Sequence, residues 1–275
     1  MATKIKVIVL SGNGTNCEME MAHACRLAGA SIVDIVHFSD LISGQVQLAN
    51  YHFLNLPGGF LDGDDLGSAK AGANRWKFIR QAENGERLLD QLLHFIRSGK
   101  LVLGVCNGFQ LLVKLGILPA LDLHYAVQQV TLTNNDSGHF EDRWVNLKIL
   151  KESPCVFTRG LRSIYLPVRH GEGKLVCRNS GILKQLFSGK QVVLQYVDAK
   201  TGQPTPHYPD NPNGSVKAIA GLCDPHGRVF GLMPHPEAFL HYTNHPQFTR
   251  HSFRSEAGEG LRLFENAIQY IDKNI

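Results

Sequence analysis

No stretch of this 275-residue chain is apolar for the roughly 20 consecutive residues that a membrane-spanning helix needs. The first residues, Met1-Ala2-Thr3-Lys4-Ile5-Lys6, lack a signal peptide's apolar core. A soluble, cytoplasmic chain with no membrane contact is expected. Its six cysteines, at positions 17, 25, 106, 155, 177 and 223, include no C-x-x-C pair. That argues against structural zinc and thioredoxin-type chemistry. Basic runs are missing too, and the net charge is only +4, so nucleic acid is not an expected partner. There is no P-loop or kinase signature for ATP. His241, His245 and His251 lack regular ligand spacing, and no metal site is expected. Charged residues make up 19% of the chain against 43% hydrophobic, which excludes overall disorder. Repeats, low-complexity tracts and a clear linker are all absent, so residues 1–275 read as one domain.

What the chain does have is a repeated β-α-β rhythm. Apolar runs at Lys4 to Leu10, Ser31 to Phe38, Tyr51 to Leu56, Leu101 to Val105 and Val229 to Met233 read as strands. Helical periodicity appears at Cys17 to Leu27, Glu86 to Arg97, Gly108 to Leu115 and Glu259 to Ile271. Alternation of this kind predicts an α/β fold, a mostly parallel central sheet with helices on both faces. From about 127 to 222 the texture changes to short β-type runs: Trp144 to Leu150, Ile164 to Val168, Gln191 to Val197 and Ala218 to Cys223. Extra short strands are expected there.

The sharpest local signal is Gly104-Val105-Cys106-Asn107-Gly108-Phe109-Gln110. A buried strand meets a helix at Cys106, with glycines two residues before and after. That is the G-x-S-x-G nucleophile elbow with cysteine in place of serine. The helix N-terminus favours a thiolate. A nucleophile needs a base and something to orient it. Pro234-His235-Pro236-Glu237 follows the last strand, and an extended backbone sends His235 and Glu237 to one side. Both segments sit past the carboxyl ends of strands, where open α/β sheets place their sites. Pro57-Gly58-Gly59 ends another strand. Its Gly59 N–H, with that of Asn107, is the expected oxyanion hole. Gly12-x-Gly14 begins like a dinucleotide fingerprint, but Cys17 stands where the third glycine belongs, so nucleotide binding is not expected there.

Together the elbow, the double glycine and the terminal H-P-E resemble class I glutamine amidotransferases, which have a flavodoxin-like sheet. The resemblance implies hydrolysis of glutamine through a thioester on Cys106, with His235 as base and Glu237 orienting it. It also implies substrate contacts from Gly58, Phe60 and Gln110. Longer stretches are similar to the glutaminase subunits of phosphoribosylformylglycinamidine synthase, an enzyme of purine biosynthesis. These are Gly14 to Glu18, Pro57 to Phe60, Asn135 to Glu141, Arg143-Trp144, His170 to Gly173, Asn211 to Ser215 and Gly231 to Glu237. That family implies a large ATP-dependent synthetase subunit as partner, with a small accessory subunit besides. No cofactor is expected in this chain, with ATP and magnesium on the partner. Departures are Leu61-Asp62 after Phe60, His139 where the family has arginine, and added length at Lys70 to Glu86 and His241 to Ser255. The glycine-rich segment Pro57 to Gly72 is expected to be mobile until the partner orders it. The alternatives are a free-standing cysteine hydrolase on the same scaffold, of γ-glutamyl hydrolase or peptidase type, and a non-catalytic scaffold.

Overall fold

Strand β1, Lys6–Ser11, is apolar at four consecutive buried positions and so is covered on both faces. The computed structural model describes residues 4–250 and 255–275. Helix α1, Glu18–Leu27, has two glutamates in its first turn and Arg26 in its last, both favourable to the helix dipole. It leads to β2, Ile32–His37, and the short α2, Phe38–Ser43. Then come β3, Phe53–Leu56; α3, Lys70–Phe78; α4, Leu88–Arg97; β4, Leu101–Val105; and α5, Asn107–Leu115. The second half contributes β5, Val130–Thr133; β6, Glu141–Ile149; β7, Ser163–His170; β8, Lys174–Cys177; and α6, Ser180–Ser188. It closes with β9, Val192–Tyr196; β10, Ile219–Cys223; β11, Val229–Leu232; and α7, Leu261–Asn274.

Nine strands form one sheet in the order β2-β1-β3-β4-β11-β10-β9-β6-β7, with β5 and β8 paired separately. The first five are parallel, in the flavodoxin-like order. Right-handed crossovers send α1 to one face and α4 and α5 to the other, because they lead away from β1 and β3 in opposite directions. α7 packs against α1, and α3 against α4 and α5. The expected α/β class is the one observed. The short β runs of the second half extend the same sheet as an antiparallel wing.

Three helices add to the four expected, the short α2 after β2 among them. The 127–222 region contains α6, whose Asn179 cap accepts a hydrogen bond from Ile182 N–H at 2.9 Å. The stretch Lys70 to Glu86 is less an appendage than a covering layer, since α3 buries Trp76 against the core.

Candidate active site

The carboxyl edge of the parallel half brings four loops together, those after β1, β3, β4 and β11. Cys106 follows β4 and caps α5 with φ +51° and ψ −104°, a conformation that a side-chain-bearing residue adopts only under strain. Its neighbours make that possible. A Cβ on Gly104 would stand 2.7 Å from the Gly108 carbonyl oxygen, and one on Gly108 would overlap the Leu56 carbonyl. The elbow glycines are thus demanded by contact. Cys106 is buried, and its thiol donates to the Arg169 carbonyl at 3.5 Å.

His235 follows β11, and its N–H donates to the Pro167 carbonyl at 2.8 Å. Its Nδ1 lies 2.6 Å from Glu237 Oε1, with both side chains buried. The pair does not meet by projecting from an extended strand, as the sequence suggested. Pro236–Ala238 form a 3-10 turn that folds Glu237 back beneath the ring. Nε2 has no hydrogen-bond partner among the described residues. Burial alone pushes the His235 pKa down, but the Glu237 carboxylate and the Cys106 thiol raise it well above the usual value.

Gly58 lies where these groups converge. A Cβ there would sit 2.8 Å from His235 Cε1 and 3.5 Å from Cys106 Cβ. The next residue, Gly59, has φ +143° and bridges to Thr15 of the loop after β1. The bridging bonds run from Asn16 N–H to the Gly58 carbonyl and from Phe60 N–H to the Gly14 carbonyl. Gly59 N–H takes no part in them. Asn107 N–H opens α5 and has no acceptor within the helix. Both expected oxyanion donors therefore remain available. The loop carrying Gly12 and Gly14 buttresses this strand rather than forming a dinucleotide cradle.

The remaining expected residues fall in different places. The buried Gln110 amide is engaged at both ends. Its Nε2 donates to the Glu172 carbonyl at 2.5 Å, and its Oε1 accepts from Asn107 Nδ2 at 2.9 Å. Phe60 turns outward to the rim, its ring 6.3 Å from that of the exposed Phe140. The segment after Phe60, expected to be mobile, is fastened at several points. Leu61 N–H donates to Asn107 Oδ1, Asn107 Nδ2 to Asp64, Ser68 N–H to Glu172, and Arg75 pairs with Asp62. His245 packs among Trp144, Tyr165 and Phe239, and His251 lies outside the described residues.

The antiparallel wing supplies a wall that sequence reasoning missed. The buried His170 shares hydrogen bonds with Asn135 at 3.1 Å and Asn213 at 3.4 Å. Burial and the nearby His235 push its pKa down to about 3, so the ring is neutral. Asn135 also donates to the His170 and His139 carbonyls and accepts from Gly173 N–H. This network fixes residues 169–173, whose carbonyls meet the Cys106 thiol and the Gln110 amide. Cys17 was also missed as a site residue. Its Sγ lies 4.0 Å from His235 Nδ1. The only available signal was its position in the loop after β1, at the switch-point edge of the sheet.

A model of the CobB/CobQ-like glutamine amidotransferase domain matches residues 4–271. The chain belongs to the CobB/CobQ-like glutamine amidotransferase family. Within it, the chain is 41% identical over 277 residues to phosphoribosylformylglycinamidine synthase subunit PurQ of Methanococcus maripaludis, covering 98% of both chains. It is 41% identical over 268 residues to the Dehalococcoides mccartyi subunit of that name, again over 98% of both. The phosphoribosylformylglycinamidine synthase of Drosophila melanogaster is 39% identical over 237 residues, 85% of this chain but 17% of that one. Among solved structures, a chain of PurLQS from Thermotoga maritima superposes with TM-score 0.70 at 27% identity, covering 98% of this chain and 99% of that one. A glutamine amidotransferase from Thermotoga maritima shares the fold at 13% identity, with TM-score 0.55 over 99% and 100% of the two chains.

Proposed function

We propose that this amidotransferase is the glutaminase subunit of phosphoribosylformylglycinamidine synthase. The observation that carries the reading is the buried His235–Glu237 pair set against Cys106 on its strained elbow. His235 takes the thiol proton, and sulfur attacks the side-chain amide carbon of glutamine. The developing oxyanion is met by Gly59 and Asn107 N–H. His235 returns the proton to the departing nitrogen, which leaves as ammonia, and a γ-glutamyl thioester remains on Cys106. Water then cleaves the thioester, giving glutamate and the free thiol. Glu237 orients the ring and holds its charged form between the two transfers. Gln110 acts through the wall: by binding the Glu172 carbonyl it sets the width of the pocket.

In this reading the ammonia goes to a large ATP-dependent synthetase subunit, with a small accessory subunit completing the complex. ATP and magnesium belong to the synthetase, and this chain needs no cofactor. The Drosophila relative supports the division of labour, since the matching region is a small part of one long chain there. The exposed Phe60 and Phe140 at the rim suit a docking face. Six free cysteines fit a reducing cytoplasm, and no helix among the described residues is long and apolar enough to cross a membrane. The test is steady-state glutaminase kinetics on the purified chain, then with the synthetase and its phosphoribosyl substrate. Stimulation of kcat by the synthetase supports the assignment. A lone chain at full rate, indifferent to the synthetase, would favour a free-standing hydrolase.

A further inference from the structure

Cys17 stands at the N-terminus of α1, partly exposed, and a Cβ on Gly58 would lie 3.4 Å from its Sγ. Its Sγ is 4.0 Å from Nδ1, the same nitrogen that bonds Glu237 at 2.6 Å. Ligand atoms of Cys17, His235 and Glu237 all lie within 4.8 Å of one another. The His235 and Glu237 side chains are only 3% and 1% exposed, and Glu237 Oε2 is buried with no hydrogen-bond partner among the described residues. A thiolate, an imidazole nitrogen and a carboxylate around one point form a donor set for a borderline-soft divalent metal.

We propose that Cys17 Sγ, His235 Nδ1 and Glu237 form an inhibitory site for zinc or a similar divalent transition metal ion. With Zn–S near 2.3 Å and Zn–N near 2.0 Å, tetrahedral sulfur and nitrogen ligands stand roughly 3.5 Å apart. The present 4.0 Å needs little adjustment. The carboxylate must draw back from the ring, and its free oxygen has no bond to break. The metal displaces the Cys17 thiol proton to solvent and takes Nδ1, whose proton moves to the other ring nitrogen. Water fills the fourth position. The proton left on the ring then sits on Nε2, the nitrogen that must accept the Cys106 proton, so the base is blocked. Cys106 lies outside this three-residue cluster and is not a ligand. Metal binding here does not depend on which acceptor takes the ammonia.

The full-length chain is titrated with zinc against a chromophoric chelator and, separately, with cobalt while its near-ultraviolet absorption is followed. Serine is a favoured residue at a helix N-terminus, so Cys17→Ser keeps the start of α1. Wild type and Cys106→Ser should each bind one tight equivalent and show a thiolate-to-cobalt charge-transfer band. Cys17→Ser should lose the band and more than about tenfold in zinc affinity, since losing a ligand costs at least as much as losing an outer-shell partner. In the complex, with each rate taken relative to its own metal-free value, Cys17→Ser should need more zinc for half-inhibition than wild type. A band that survives in Cys17→Ser, or vanishes in Cys106→Ser, overturns the proposal. So does the absence of a tight equivalent in wild type.

Discussion

The parallel and antiparallel halves of the sheet serve one pocket by different physics. Each of the four loops at the carboxyl edge of the parallel half carries one element of the site: Cys17, Gly58–Gly59, Cys106 and the His235–Glu237 pair. Each is a short connection whose side chains or N–H groups point into the pocket. The antiparallel wing contributes mainly backbone carbonyls, at Arg169 and Glu172, held by a buried polar network of Asn135, His170, Asn213 and Ser215. A half that presents reacting atoms should be chemically brittle. A half that holds a wall through satisfied buried polar groups should be thermodynamically brittle.

The largest expected effect breaks the chemistry and spares the wall. Cys106→Ser should abolish glutamine-dependent synthesis by the complex while ammonia-dependent synthesis persists and the urea midpoint stays near wild type. Retention of most of the glutamine-dependent rate would remove Cys106 from the mechanism. His235→Ala should cost about 10²–10⁴-fold in kcat, the usual value of general acid-base assistance. Glu237→Gln should cost less, because the ring remains present. Single-turnover rates in the reverse order would contradict the roles assigned.

Gly58→Ala sharpens the contrast. Its Cβ would push His235, 2.8 Å away, with no hydrogen bond removed. A displacement approaching 1 Å lowers kcat by about 10²-fold, while the urea midpoint should barely move. An equal loss of stability would place Gly58 among the structural residues.

The smallest effect belongs to the wing and is read in stability. The folded His170 pKa of about 3 is far below the roughly 6.5 of an unfolded histidine. The fold therefore prefers the neutral ring. Stability present above pH about 6.5 is lost as pH falls toward 3, by at most about 1.4 kcal/mol per unit from this group. Urea unfolding from pH 7 to 4.5, with hydrogen exchange at residues 135–174, should show the wing loosening first. Simultaneous loss of protection in the parallel half would refute the division.

The same division explains what could be read from the chain. β1, β4, α5 and β11 announce themselves by apolar runs and glycines, and every reacting group lies next to one of them. The roles of Asn135, His170 and Asn213 were hidden because their partners lie tens of residues away. The β5–β8 pairing brings Asn135 towards His170, and Asn213 arrives on the connection between β9 and β10. Helix α6 was legible in its asparagine cap and was masked by the β-rich texture around it. Cys17 looked like any half-buried cysteine, because nothing local shows that His235, 218 residues on, comes to rest beside it.

The φ of +51° at Cys106 has an evolutionary side. At an ordinary site, replacing alanine by glycine destabilises a fold by roughly 0.5–1 kcal/mol, because glycine is freer in the unfolded chain. At position 106 that order should invert, with Cys106→Gly melting above Cys106→Ala. A lineage released from glutamine hydrolysis would then gain stability by discarding its nucleophile, and drift would favour glycine there. A cysteine held in this conformation costs stability that only its chemistry offsets.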